Sequence, residues 1–221
     1  MHNYVFVSKK NEKVKQEYAT IRKILQKAQN IIRKDFDIKF HSVGSYARNM
    51  ITYEPNSNIG YDFDFNAEVF DDAWENYKPK AIKRIVREAI NKVATEYGYA
   101  NAEDSTRVLT IKKKDTKKSK ILHSFDVAIV INYEDDDGYD CQDYIHFAKK
   151  KKLYNWCEQS HSFYTLEDKI DWIKYNDIPW NYVREYYLEK KNKNDNLDMH
   201  SRQIYAQTIH EICQKYGYYD E

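Results

Sequence analysis

The sequence predicts an α+β fold, with strands and helices in front and a mostly helical part behind. Three observations predict it. Helical stripes and alternating strand segments take turns up to about residue 131, so the front is mixed. Beyond about residue 165 only helical spacing recurs. Finally, 15% of the 221 residues are aromatic, which suits a packed globular core and not a disordered chain. The expected division is a core over 1–135 and a C-terminal, mostly helical part over 136–221 packed on it.

The elements follow in order. Val14, Tyr18, Ile21, Leu25, Ala28 and Ile32 step by 4, 3, 4, 3 and 4, which places them on one face of a helix over about 11–34. DIKFHSV (37–43) reads as a short strand ending at Gly44. From Tyr61 the chain alternates: Tyr61, Phe63, Phe65, Ala67 and Val69 point one way, and Asp62, Asp64, Asn66 and Glu68 the other. A helix over about 79–97 begins on Pro79, carries a stripe from Ile82 to Val93 and stops at Gly98. TRVLTIK (106–112) and KILHSFDVAIVI (120–131) read as strands around a lysine-rich turn, and 144–147 with 153–156 as a hairpin across Lys149–Lys152. Thr165 with Asp168 resembles a helix N-cap before Leu166. A further helix follows Pro179, and the polar stretch NKNDNLD leads to a last helix near 201–216, closed by Gly217.

Composition excludes several classes. Lys and Arg (36) nearly cancel Asp and Glu (35), so no global basic charge announces a nucleic-acid binder. Three cysteines, Cys141, Cys157 and Cys213, form no C-x-x-C pair, and the seven histidines show no H-x-x-x-H or H-E-x-x-H spacing. Neither a disulfide framework nor a zinc site is expected. No apolar run approaches membrane-spanning length, and the apolar stretch in MHNYVFVSKK is too short for a signal peptide. A cytoplasmic location without membrane contact is the expectation. EDDDGYDCQD (134–143) fails as a calcium loop, because aligning Gly138 puts Tyr133 and Tyr144 where carboxylates are required. KKKDTKKSK (112–120) reads as a solvated hairpin, with contact to a nucleic acid or a triphosphate as the alternative.

Three features carry possible chemistry. Asp62 and Asp64, two apart on a strand, leave the same face roughly 6–7 Å apart, where they repel unless a cation lies between them. Hard divalent ions such as Mg2+ take oxygen ligands of this kind, although a wet strand face is the commoner meaning of an isolated D-x-D. Asp126 lies within LHSFDVAIVI, the most apolar strand, where a carboxylate is costly to bury unless it is paired or bound to metal. Alternation puts Ser124 and Asp126 on one face. Gly44-Ser45 ends a strand; glycine lets backbone amides approach a phosphate, and Ser45 adds a hydroxyl, but Gly-Ser is also a common turn.

The order strand, Gly-Ser, strand with Asp-x-Asp, later strand with a third Asp resembles the DNA polymerase beta-like nucleotidyltransferase superfamily. VGSYARNM (43–50), YDFDFN (61–66) and HSFDVAIV (123–130) carry the resemblance, which covers about 11–131. A Gly-Ser followed by an aromatic and Ala-Arg is most similar to the oligoadenylate synthase and bacterial cyclic-oligonucleotide synthase (CD-NTase) branch. Where that branch continues Arg-Gly-Thr, Arg48 is followed here by Asn49-Met50, and the link over 46–61 is longer.

The resemblance implies a mixed sheet flanked by helices, with a short helical C-terminal part. It implies an Mg2+- or Mn2+-dependent nucleotidyltransferase that moves an NMP from an NTP to an acceptor hydroxyl and releases pyrophosphate. Asp62, Asp64 and Asp126 would hold two ions about 3.5–4 Å apart. Gly44 and Ser45 would hold the β and γ phosphates, with Arg48 as a further phosphate contact, and Asp126 would help the acceptor hydroxyl lose its proton. The acceptor is open: a nucleotide, an RNA end, a protein side chain or a small molecule. One alternative is a catalytically silent nucleotide- or RNA-binding member of the same fold. Another is a metal-dependent nuclease, which gives no reason for the Gly-Ser turn.

Overall fold

A computed structural model describes residues 2–55, 57–196 and 199–218. It divides the chain into two compact units, one of residues 7–158 and the other of residues 1–6 with 159–221.

The larger unit begins with α1 (Glu12–Ile32), which starts where the Asn11 side chain accepts the N–H groups of Lys13 and Val14. Its buried stripe is Val14, Ile21, Ile24, Leu25, Ala28 and Ile32. β2 (Ile38–Val43) follows the short β1 (Val5–Phe6), which belongs to the other unit. Gly44–Ala47 make a single helical turn, α2; then come β3 (Thr52–Tyr53), β4 (Ile59–Val69) and the short α3 (Asp71–Asn76). α4 (Pro79–Ala94) opens on Pro79 and ends in a 3-10 turn closed by Gly98 at φ 73°. β5 (Glu103–Asp104), β6 (Val108–Asp115), β7 (Lys120–Glu134), β8 (Asp140–Ala148) and β9 (Leu153–Glu158) complete the unit.

The sheet is mixed, in the order β2-β4-β7-β6-β5, with β8 joining the far end of β7 and β9 pairing with β8. Among the described residues of this sheet, β4 and β7 pair in parallel and the other pairs are antiparallel. The anticipated hairpin across Lys149–Lys152 forms, with Ala148 opposite Leu153, so the sheet runs on to Glu158. The stripes of α1 and α4 close over one face, where Phe40, Phe63, Phe65, Phe125, Val127 and Ile129 form one core with them. Register partners Phe63 and Phe125 are wholly buried, each contributing about 2–3 kcal/mol. The alternation of β4 leaves Asp62, Asn66 and their neighbours on the opposite face.

In the smaller unit, α5 (His161–Tyr175), α6 (Trp180–Lys193) and α7 (Ser201–Lys215) bury Ile170, Ile173, Val183, Ile204, Ile209 and Ile212. α5 begins a turn earlier than a Thr165 cap requires: Ser160 stands at the N-cap. Thr165 lies inside the helix, its hydroxyl donating to the carbonyl of His161 at 2.9 Å. No helix among the described residues is long and apolar enough to cross a membrane.

Candidate active site

The face of the sheet turned away from α1 and α4 is built in rows. Val43, Asp64, Asp126 and Thr110 stand side by side on β2, β4, β7 and β6. The next row holds Asp62, Ser124 and Lys112 on β4, β7 and β6. Two carboxylates directly opposed on neighbouring strands have backbones about 4.8 Å apart, and Asp62 lies one row on. The structure therefore brings Asp62, Asp64 and Asp126 together, although Asp126 lies far from the other two in the chain.

Each carboxylate has a different environment. Asp62 is exposed and accepts a hydrogen bond from the Ser124 hydroxyl. Asp64 is half-buried, and the Ser45 N–H donates to its Oδ2 at 3.4 Å. Gly44 makes that approach possible: it sits at φ 66°, and a Cβ there would fall 2.0 Å from Asp64 Oδ2. Asp126 has a buried Oδ1 with no hydrogen-bond partner. Burial pushes its carboxyl up to about 6; a hydrogen bond from Thr110 opposes this, the charges of Asp62 and Asp64 add to it, and Lys112 opposes it.

Ser45 and Arg48 belong to the α2 turn, which Arg48 closes with its N–H donating to the Gly44 carbonyl at 3.2 Å. Two residues absent from the expected set stand on the same face. Thr110 is directly opposite Asp126, and Lys112 reaches Glu103 Oε2 at 2.5 Å. Their signal was positional: once β6 pairs with β7, alternation places both beside the carboxylates, whereas the lysine run drew attention to the hairpin tip.

The donor set suits a hard divalent cation: three carboxylates, one with an orphaned buried oxygen, beside a turn that only glycine can form so close to Asp64. As the side chains stand, no three His, Cys, Asp or Glu among the described residues form a ready-made ligand cluster. Ser124 and Ser45 hold two of the carboxylates in their present orientations.

The sequence matches no protein-family model and no curated protein. By structure it is similar to Vibrio cholerae DncV in its 3'-deoxy ATP bound form, with a TM-score of 0.59 and 13% identity over 94% of this chain and 67% of that one. The same protein, described as a cyclic AMP-GMP synthase in complex with the linear intermediate 5' pppA(3',5')pG, gives a TM-score of 0.56 and 12% identity over 94% of this chain and 67% of that one. The Bradyrhizobium diazoefficiens CD-NTase CdnG in complex with GTP aligns over 70% of this chain and 40% of its own, at a TM-score of 0.46 and 17% identity. This chain thus spans less than half the length of CdnG and about two thirds of DncV. The fold is shared with DncV, a mixed sheet flanked by helices, as the sequence resemblance implied.

Proposed function

We propose that this chain is a divalent-metal-dependent nucleotidyltransferase that transfers an NMP from an NTP to an acceptor hydroxyl. The observation that carries this reading is the row Asp64–Asp126, with Asp62 beside it, against the Gly44-Ser45 turn. Asp62, Asp64 and Asp126 would hold Mg2+ or Mn2+. Bound there, the ions would neutralise charge on the α-phosphate and on the departing pyrophosphate. Gly44 and Ser45 present backbone N–H and hydroxyl donors to the β and γ phosphates, with Arg48 at the end of the same turn. That grip orients the triphosphate so that pyrophosphate leaves in line with the attacking oxygen.

In the transfer, the acceptor oxygen forms a bond to the α-phosphorus and the bond from phosphorus to the α–β bridging oxygen breaks. The hydroxyl proton goes to Asp126, which stands directly opposite Asp64 on the same face. Because DncV is described with a linear dinucleotide intermediate, a second nucleotide is the first acceptor to test.

Purified protein with Mg2+ and labelled NTPs, singly, in pairs and with RNA, is expected to release pyrophosphate with the correct acceptor. Asp62→Ala and Asp126→Ala are each expected to abolish release in a protein that still folds. Wild-type turnover in either variant would refute the assignment of the three carboxylates. The engagement of Asp62 by Ser124 favours one second reading, a silent nucleotide-binding protein. Saturable NTP binding without pyrophosphate release in every acceptor mixture would select it.

A further inference from the structure

Behind the acidic face, on the core side of the same two strands, lies a buried polar cluster. Glu17 of α1 has a side chain only 14% exposed. It accepts a hydrogen bond from the Tyr61 hydroxyl of β4, and its Oε1 lies 3.2 Å from His123 Nδ1 of β7. The other ring nitrogen of His123 bonds the Tyr99 hydroxyl at 2.8 Å. Tyr61 and His123 are register partners across the parallel pair, their rings stacked 6.3 Å apart. Asp62 and Ser124 are the next register pair, pointing to the other face.

His123 thus stands between Glu17 and Tyr99, one ring nitrogen toward each. Burial raises the Tyr61 and Tyr99 phenols, so both remain hydroxyl donors. Burial works against the charge on Glu17, but hydrogen bonds from His123 and Tyr61 outweigh it and hold the carboxyl below its ordinary range. The cations nearby are peripheral: Lys13 lies 4.0 Å from Glu17, and Lys113 lies 5.0 Å from the Tyr99 ring centre.

Apolar packing does not define this strand register by itself. On the core face, β4 reads Tyr61, Phe63, Phe65, Ala67 and Val69, against His123, Phe125, Val127, Ile129 and Ile131 of β7. A slip of two residues keeps every side chain on its own face and still sets apolar against apolar. It would, however, set Asp64 against Ala128 in one direction, or against Ser124 in the other, and either way separate Asp64 from Asp126 across the pair. Buried polar groups that pair in only one alignment are the best-attested device for excluding such alternatives.

We propose that Glu17 is a positioning residue: it ties Tyr61 of β4 and His123 of β7 to one point on α1, and so sets the register that places Asp62 against Ser124 and Asp64 against Asp126. The consequence for function rests on the acidic face being the reaction site; the consequence for geometry does not.

The test separates the two. In metal-free protein, the 13C resonance of the Asp62 carboxyl is compared among wild type, Glu17→Gln, Tyr61→Phe and Ser124→Ala, with the exposed Glu12→Gln on the same helix as control. Glu17→Gln is expected to move it in the direction that Ser124→Ala does, Tyr61→Phe to move it less, and Glu12→Gln to leave it in place. Mn2+ affinity, read by electron paramagnetic resonance, is expected to fall about tenfold in Glu17→Gln, the scale at which groups supporting metal ligands act. If Glu17→Gln fails to fold, Tyr61→Phe, which keeps the ring and loses only the hydroxyl, decides the matter. An unmoved Asp62 resonance in the folded variants, with melting temperature alone reduced, would make Glu17 a stability residue and overturn the proposal. A resonance that moves in Glu17→Gln while the wild type binds no Mn2+ would uphold the positioning role and reject the metal reading.

Discussion

Replacing Asp126 by Asn should stabilise the metal-free protein at neutral pH while destroying its proposed activity. The folded carboxyl sits at about 6 against an ordinary 3.8, because it is buried and faces Asp62 and Asp64. Keeping it ionised in the folded state therefore works against folding, by about 3 kcal/mol once the pH is well above 6. The sign follows from the raised value: the neutral form favours folding, an advantage complete below 3.8 and lost as pH rises through about 6. An uncharged Asn has no such dependence. Its stability gain over wild type should be about 3 kcal/mol at pH 7.5, about 1.6 at pH 5 and about 0.6 at pH 4. With a urea m-value of about 2–3 kcal/mol/M, the pH 7.5 difference moves the midpoint by about 1–1.5 M. Urea titrations followed by circular dichroism in EDTA measure it. A midpoint difference that is absent at pH 7.5, or that fails to shrink toward pH 4, would show that Asp126 is not held above its ordinary range, and the close grouping of the three carboxylates would fall with it.

Two further substitutions test the surroundings. Gly44→Ala places a methyl 2.0 Å from Asp64 Oδ2 at a residue with φ 66°; it should cost about 1–3 kcal/mol in urea unfolding and abolish NTP binding by calorimetry, and wild-type binding would refute the phosphate role of the turn. Lys83, 2% exposed, pairs with Asp104 at 2.8 Å and donates to the Ser105 carbonyl at 2.9 Å. Lys83→Met should cost about 3 kcal/mol by taking the buried cation from Asp104, which keeps the Tyr154 hydroxyl at 2.8 Å and Arg87 at 3.8 Å, and adding Asp104→Asn should recover most of it; equal loss in the single and double variants would show that Lys83 acts by packing alone.

What the sequence made legible was periodic. The stripes of α1 and α4, the alternation of β4 and the glycine stops stand where spacing placed them, because each spans enough residues to show a period. The turn at 44–47, the short strands at 52–53 and 103–104 and the helix at 71–76 are too brief for that, and tertiary contacts determine them. Thr165 misled because a hydroxyl can serve a carbonyl inside a helix as readily as an amide at its start. For the site, alternation showed which face each aspartate takes, but not that β4 and β7 are neighbours. That adjacency spans α3, α4 and two intervening strands, and only the resemblance to a known fold anticipated it.

Glu17 shows why the remainder was hidden. Val14, Glu17, Ile21, Ile24 and Ala28 step by 3, 4, 3 and 4, so a carboxylate occupies a rung of the ladder that faces the core. Such a group must find donors or lose its charge, and α1 offers only the largely exposed Lys13 at 4.0 Å; the buried partners arrive from β4 and β7, far along the chain. The sequence can expose the anomaly, but its resolution needs the sheet. The same holds for His123 and Lys83, each wholly buried where an apolar residue would pack more simply. A chain that only needed to fold could replace all three by aliphatic residues of similar volume and gain stability. The contacts of Glu17 and His123 argue that the alignment of β4 with β7, and with it the acidic row, is what they secure, while Lys83 ties α4 to β5 through Asp104.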